Sequence, residues 1–282
     1  MKKKIAILTE NNLASGSGHF MRMKGLKYFL KKKKVNCKIF FLKDNKNLKL
    51  IKEYNPSIIV CDLKNYNNKN YLSLYRNKTC KIIDIENYNN SSYDLNISVI
   101  DHNKRIKGKR LESLNFAMLR PEIKKKFANK RKNLIFVNLG SKENIKKVKQ
   151  ISFFLKKLSI KFNFVFVTKF FKHFNNINKD KRFKYYPSKF FLKYFKLSII
   201  SIISGGLILV EALYLKKKII VIPQTKYETK FSSYLKTRTR NIYIGVNSIK
   251  DNLINKLPKE ENKVIIDGFG YNRIYKAISK LK

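Results

Sequence analysis

The stretch that most constrains this 282-residue chain is its opening, residues 4–30, KIAILTENNLASGSGHFMRMKGLKYFL. An apolar run from Ile5 to Leu8 leads into a Gly/Ser-rich turn, and an apolar-periodic segment begins at Phe20. That order predicts a strand, a tight loop and a helix. Gly16 and Gly18 allow a sharp bend and leave no Cβ in the way of a ligand. His19 then falls at the start of the helix, by the carboxyl edge of the first strand, where open α/β sheets bind ligands. The helix start offers unpaired N–H groups and the positive end of a dipole, which suit an anionic ligand. The same dipole favours a neutral imidazole, able to act as a general base. Taken alone, Gly-x-Gly-His is also what an ordinary flexible turn looks like, and the Gly-Lys-Ser/Thr of a triphosphate loop is missing.

The pattern then alternates. Residues 37–42, 57–61, 80–85 and 95–100 read as buried strands, with helical stretches near 46–54 and 67–77. Continuous β-branched runs between helices predict parallel strands covered on both faces. Residues 101–115 are poorly hydrophobic and without period, and read as a linker. A second series has strands at 133–138, 162–167, 182–187, 197–203, 218–223 and 241–245, with helices at 143–158 and 226–236. The expected fold class is α/β with mainly parallel sheets. Residues 1–115 form a Rossmann-like domain carrying the Gly-x-Gly-His loop, 116–270 form a second, and 271–282 form a terminal helix.

The second series repeats the logic of the first loop. Ser204, Gly205 and Gly206 separate the strand at 197–203 from a helix, so the backbone can approach phosphates there. Glu211, about two turns along, could accept hydrogen bonds from ribose hydroxyls. It is flanked by Val210, Ala212 and Leu213, and an unpaired carboxylate in such a helix is costly, which argues for a bound partner. Gln224 and Glu228, in the segment leaving the next strand at the same edge, are candidates for base or sugar contacts.

A net charge of +46 would ordinarily suggest nucleic acid. The lysines are instead spread along the whole chain among abundant Asn, Ile, Phe and Tyr, the profile of a coding bias. No recognition motif accompanies them, so no specific nucleic-acid partner is expected. Lysine runs such as 31–34, 124–132 and 216–218 read as solvated faces. The basic, aromatic-rich surface suits peripheral contact with an anionic membrane. Cys37, Cys61 and Cys80 lie in apolar runs without Cys-x-x-Cys, as reduced core thiols of a cytoplasmic protein do. No apolar run approaches the ~20 residues of a membrane span, and the opening Met-Lys-Lys-Lys reads as the lead into a strand, not as a signal peptide.

Several of these segments carry a family likeness. Ser-Gly-Ser-Gly-His-Phe-Met-Arg (15–22) resembles the Gly-x-Gly-His-x-x-Arg opening of the UDP-sugar hydrolases of pseudaminic acid biosynthesis, shared by related spore-coat polysaccharide proteins. Residues 116–123, Phe-Ala-Met-Leu-Arg-Pro-Glu-Ile, are similar to that family's Tyr-x-x-Leu-Arg-Pro-Glu-Phe. Ser204-Gly205-Gly206 with Glu211 resembles its nucleotide loop and ribose-binding Glu, and Asp-Gly-Phe-Gly-Tyr-Asn-Arg (267–273) resembles its C-terminal Asp-Gly-x-Gly-x-x-Arg. The resemblance implies a GT-B architecture, two Rossmann-like domains facing a central cleft, with UDP held by the C-terminal one. It implies a hydrolase that releases UDP from a deoxy-diacetamido sugar by water attack at the anomeric carbon, with His19 acting on the water, Arg22 completing the motif, and no metal or cofactor. This sequence has Asp62-Leu-Lys64 where the family has Asp-x-Tyr, Asp84-Ile-Glu86 for its Asp-Asp pair, and Tyr227-Glu228 for its Asn-Gln. Substrate contacts are therefore expected to differ more than nucleotide binding. The alternative is a GT-B glycosyltransferase moving the sugar from a UDP-sugar to a surface-polysaccharide or lipid-linked acceptor. The sugar, the choice of uracil or cytosine, and the oligomeric state are left open.

Overall fold

The computed structural model describes residues 3–10, 18–41, 45–63, 80–86, 93–100, 109–125, 132–159, 161–240, 242–251, 254 and 266–281. In chain order the elements begin β1 (Lys4–Thr9), α1 (Gly18–Lys32), β2 (Asn36–Phe41), α2 (Asn45–Tyr54), β3 (Ile58–Asp62), β4 (Lys81–Ile85), β5 (Leu95–Ser98) and β6 (Lys109–Glu112). A one-turn α3 (Pro121–Lys124) is followed by β7 (Lys132–Asn138), α4 (Ile145–Lys156), β8 (Asn163–Val167), α5 (Phe171–Ile177), β9 (Phe183–Tyr186) and α6 (Phe191–Leu197). The last elements are β10 (Ser198–Ile203), α7 (Leu207–Tyr214), β11 (Lys218–Val221), α8 (Lys226–Lys236), β12 (Ile242–Ile244) and α9 (Gly270–Ser279). They form two compact units, Met1–Arg120 with Asp267–Lys282, and Pro121–Ile266.

The first unit is a six-stranded parallel sheet in the order β2-β1-β3-β4-β5-β6. Its strands are apolar throughout because both faces are covered. Ile5 and Ile7 of β1 pack with Met23, Leu26 and Leu30 of α1 and with Tyr271, Ile274 and Ile278 of α9. Ala6 and Leu8, one residue out of phase, pack on the other face with Phe40, Ile51, Ile59 and Cys61. The chain leaves β1 towards β2 and then crosses back to β3, so strand order reverses between β1 and β3.

Two expectations change here. Residues 109–112, expected in a linker, form β6, paired in parallel with β5 from Leu95↔Lys109 to Ser98↔Glu112. An edge strand has one neighbour and stays half exposed, so it needs no apolar run. Residues 116–120 and 267–270, expected in the second domain, belong to the first unit. A Cβ on Gly270 would lie 2.1 Å from the Ala117 carbonyl oxygen, so the start of α9 rests on the 116–117 backbone. Arg273 donates to the Asn115 carbonyl (3.0 Å) and is paired with Asp267. Burial of Asp267 is slight, and its hydrogen bond from Arg273 holds its carboxyl down to about 2. Residues 116–120 of the first motif and the 267–273 motif therefore lie within one unit.

The second unit is also a six-stranded parallel sheet, in the order β12-β11-β10-β7-β8-β9, reversing between β7 and β10. Its core joins Ile135 and Val137 of β7, Val148, Ile151 and Leu155 of α4, Phe164 and Phe166 of β8, and Phe174 of α5. The register of β10 on β7 slips between Ser198 and Ile200. Lys217, expected on a solvated face, is 1% exposed beside this slip. Its ammonium donates to the Ser198 carbonyl and to Ser198 Oγ (2.9 Å), and lies 5.2 Å from the Phe195 ring centre. A buried ammonium is tolerated because it satisfies a carbonyl that the irregular ladder leaves over.

Among the described residues no helix is long and apolar enough to cross a membrane, and no cluster of His, Cys, Asp or Glu could hold a metal. The three cysteines are free and buried. Burial pushes the Cys80 thiol up to about 11 and Cys61 well above the ordinary thiol value, so both stay protonated and unreactive at neutral pH.

Candidate functional site

Open parallel sheets bind ligands beyond the carboxyl ends of the strands that flank the reversal of strand order. In the first unit those strands are β1 and β3, whose last residues, Thr9 and Asp62, are partners in register. α1 starts at Gly18, one residue before the expected start at His19, and Gly16 lies outside the described residues. His19 and Arg22, three residues apart, share one side of the first turns of α1, and both reach Asp62.

His19 Nδ1 is 2.6 Å from Asp62 Oδ1. Arg22 closes a two-pronged contact on the same carboxylate, Nε to Oδ2 and Nη2 to Oδ1, each 2.5 Å. Asp62 is 1% exposed, Arg22 15% and His19 23%, so the cluster is buried at its root and open at the imidazole. Burial alone would raise the Asp62 carboxyl. The charges and hydrogen bonds of Arg22 and His19 outweigh it and hold it down to about 2. An ionised Asp62 cannot donate, so the proton between it and the ring sits on His19 Nδ1. Arg22 Nη2, 3.1 Å from that nitrogen, is then a neighbour and not a donor to it. In a neutral ring so protonated, Nε2 is the acceptor. Beside this cluster Thr9 is fully buried, and its hydroxyl has no hydrogen-bond partner among the described residues.

In the second unit the strands at the reversal are β7 and β10. Ser204 N donates to the Asn138 carbonyl (3.2 Å), and a Cβ on Gly140 (φ 74°) would lie 3.2 Å from Ser204 Oγ. A Cβ on Gly205 would fall 2.6 Å from Ser232 Oγ and 2.8 Å from the Glu228 carbonyl, so only glycine fits there. Gly206 precedes α7 without a side-chain cap. Glu228 lies against the same turn, Gln224 is hydrogen-bonded to Glu228, and both are engaged. Thr225 caps α8, its Oγ1 accepting from Glu228 N (3.1 Å), while Glu228 Oε2 accepts from Gln224 N (2.6 Å). Thr-x-x-Glu matches the capping-box sequence, but the carboxylate accepts from the N–H one residue before the cap. Gln224 donates Nε2 to the Ile222 carbonyl (2.6 Å) and accepts at Oε1 from Lys147 Nζ (3.1 Å). A Cβ on Gly206 would lie 3.5 Å from Glu228 Oε1.

Ser204, Gly205, Gly206, Gln224 and Glu228 are thus brought together. Glu211 is fully buried inside α7 and interacts with other groups of the chain. Its burial therefore does not by itself call for a ligand, against the expectation from its apolar flanks. Two residues at these edges escaped the sequence reading. Asp62 was noted only for the missing tyrosine after it, although a carboxylate closing an apolar strand at a ligand edge was a usable signal. Lys147 was absorbed into a lysine-rich helix.

No protein-family model matches the chain, and no curated protein matches it in sequence. Solved structures match over both units. MurG from Acinetobacter baumannii aligns over all of both chains at 9% identity with a TM-score of 0.66. MnaA of S. aureus, solved with UDP, aligns over 99% of this chain and 96% of its own at 11% identity, TM-score 0.67. The UDP-GlcNAc 2-epimerase of Methanocaldococcus jannaschii aligns over 98% and 99% at 10% identity, TM-score 0.60. The chain has the two-domain GT-B fold.

Proposed function

We propose that this chain is a UDP-sugar hydrolase in the making of a surface glycan of the nonulosonic acid type. The observation that carries the reading is the partly exposed His19 ring, held at Nδ1 by a buried, ionised Asp62, which leaves Nε2 to serve as the base. Two features support a nucleotide-sugar. The second unit has a glycine turn before α7 at its own ligand edge, and structures of the same fold include one solved with UDP and one named for a UDP-sugar.

His19 Nε2 takes a proton from water as the water oxygen bonds to the anomeric carbon. The bond from that carbon to the diphosphate oxygen breaks, and UDP leaves with the electron pair. Asp62 stabilises the imidazolium formed in this step. Arg22 keeps Asp62 ionised and in place. UDP sits at the Ser204-Gly205-Gly206 turn, with Gln224 and Glu228 beside it. The same base would equally deprotonate an acceptor hydroxyl, and MurG-like folds make a glycosyltransferase the second reading. Incubation with UDP-sugars in plain buffer separates the two. Free sugar and UDP are expected without any acceptor; release only when an acceptor is added would establish the transferase, and no release with either would end both readings.

If Glu211 holds the ribose, Glu211→Ala will weaken UDP binding by ~1–3 kcal/mol in a calorimetric titration. Unchanged affinity with a lowered melting temperature would assign it to the interior of α7 alone.

A further inference from the structure

We infer that Lys147 is a diphosphate-binding residue, the cation that offsets the charge of the departing UDP. The inference rests on the proposed reading of the second unit's edge as the nucleotide site. Strand order there is β11-β10-β7, so the segment after β11 and the helix after β7 flank the end of β10 on opposite sides. Lys147 lies in the first turn of α4, its N–H capped by Asn144 (2.9 Å), and its side chain reaches Gln224 beyond β11. The lysine therefore spans the end of β10, where the Ser204-Gly205-Gly206 turn lies.

Its partner explains why it is available. Gln224 Nε2 is tied to the Ile222 carbonyl, which fixes the amide with Oε1 towards Lys147. Lys147 is thus positioned by a neutral acceptor, and among the described residues it forms no ion pair. One of its three N–H groups is used in the Gln224 contact, and two remain for an anion. Three other cations are matched within the chain: Arg22 by Asp62, Arg273 by Asp267, Lys217 by a carbonyl and a hydroxyl. A half-buried ammonium steered by an amide to the mouth of a ligand edge is the arrangement a phosphate completes. Glu228, next to the same turn, makes this cation more necessary, because its carboxylate would otherwise repel a diphosphate.

The test is calorimetric titration of UDP into the full chain and into Lys147→Met, Lys147→Arg and Lys146→Met. Lys146 is exposed on the same helix and serves to measure general attraction by a basic protein. Lys147→Met is expected to lose about ten- to a hundredfold in affinity, Lys147→Arg to recover most of it, and Lys146→Met to match the parent. If the parent binds UDP and Lys147→Met binds it equally, the inference is overturned while the nucleotide site stands. Equal losses in the Lys146 and Lys147 variants would also overturn it, in favour of diffuse charge. If the parent binds no UDP, the proposed function itself fails.

Discussion

Replacing His19 with asparagine will slow release of UDP from the substrate by about 10²–10⁴-fold while leaving UDP affinity near that of the parent. The side chain is the second residue of α1 and 23% exposed, so its loss leaves no cavity in the core. Unchanged release would remove it as the base. Asp62→Asn makes the sharper test of geometry. An asparagine can turn its amide N–H towards Nδ1, which forces the ring proton onto Nε2 and removes the acceptor. Turnover should then fall with little change in UDP binding. Stability should fall too, because Arg22 loses its anion in a buried position. The Asp62 carboxyl goes from an ordinary 3.8 to about 2 on folding, which corresponds to a stabilisation of about 2 kcal/mol. That contribution is complete above pH ~4 and is lost as pH falls through 2. At neutral pH Asp62 does not titrate, so an acid limb of the rate profile near neutrality would belong to another group.

What was legible in the chain follows from range. Strands covered on both faces announce themselves as unbroken β-branched runs, and β1, β3, β7 and β10 were found within a residue or two. β6 was lost because an edge strand needs no apolar run. α5 and α6 were lost because seven residues give two turns and no usable period. At the site, Gly18, His19 and Arg22 lie within five residues of each other, and local spacing found them. Their partner Asp62 is 43 residues from His19, and Lys147 is 77 from Gln224. Only the crossovers of the parallel sheets bring such pairs together. Lysine runs misled in one place, since a run says nothing about which member turns inward, as Lys217 does.

Gly270→Ala will be among the most destabilising single-methyl additions in this chain, costing about 3 kcal/mol or more. The new Cβ would lie 2.1 Å from the Ala117 carbonyl oxygen, 2.7 Å from its carbon and 2.9 Å from the Phe116 carbonyl oxygen. These are backbone atoms, and no side-chain rotation can move them aside. The helix must lift instead, and α9 is what places Tyr271, Ile274 and Ile278 in the core of the first unit. The consequence reaches α1. Gly25 of α1 is glycine because Tyr271 lies against it, its Oη 1.9 Å from where a Cβ would sit, and Tyr271 Oη donates to the Arg22 carbonyl (3.2 Å). Lifting α9 should therefore loosen the helix that carries His19 and Arg22, lowering turnover as well as the urea midpoint followed by far-ultraviolet circular dichroism. Gly268→Ala, placed at φ 76°, should cost about 1 kcal/mol through left-handed backbone strain. A Gly270→Ala variant as stable as the parent would mean that α9 does not rest on residues 116–117, and the coupling between the C-terminal segment and the imidazole would go with it.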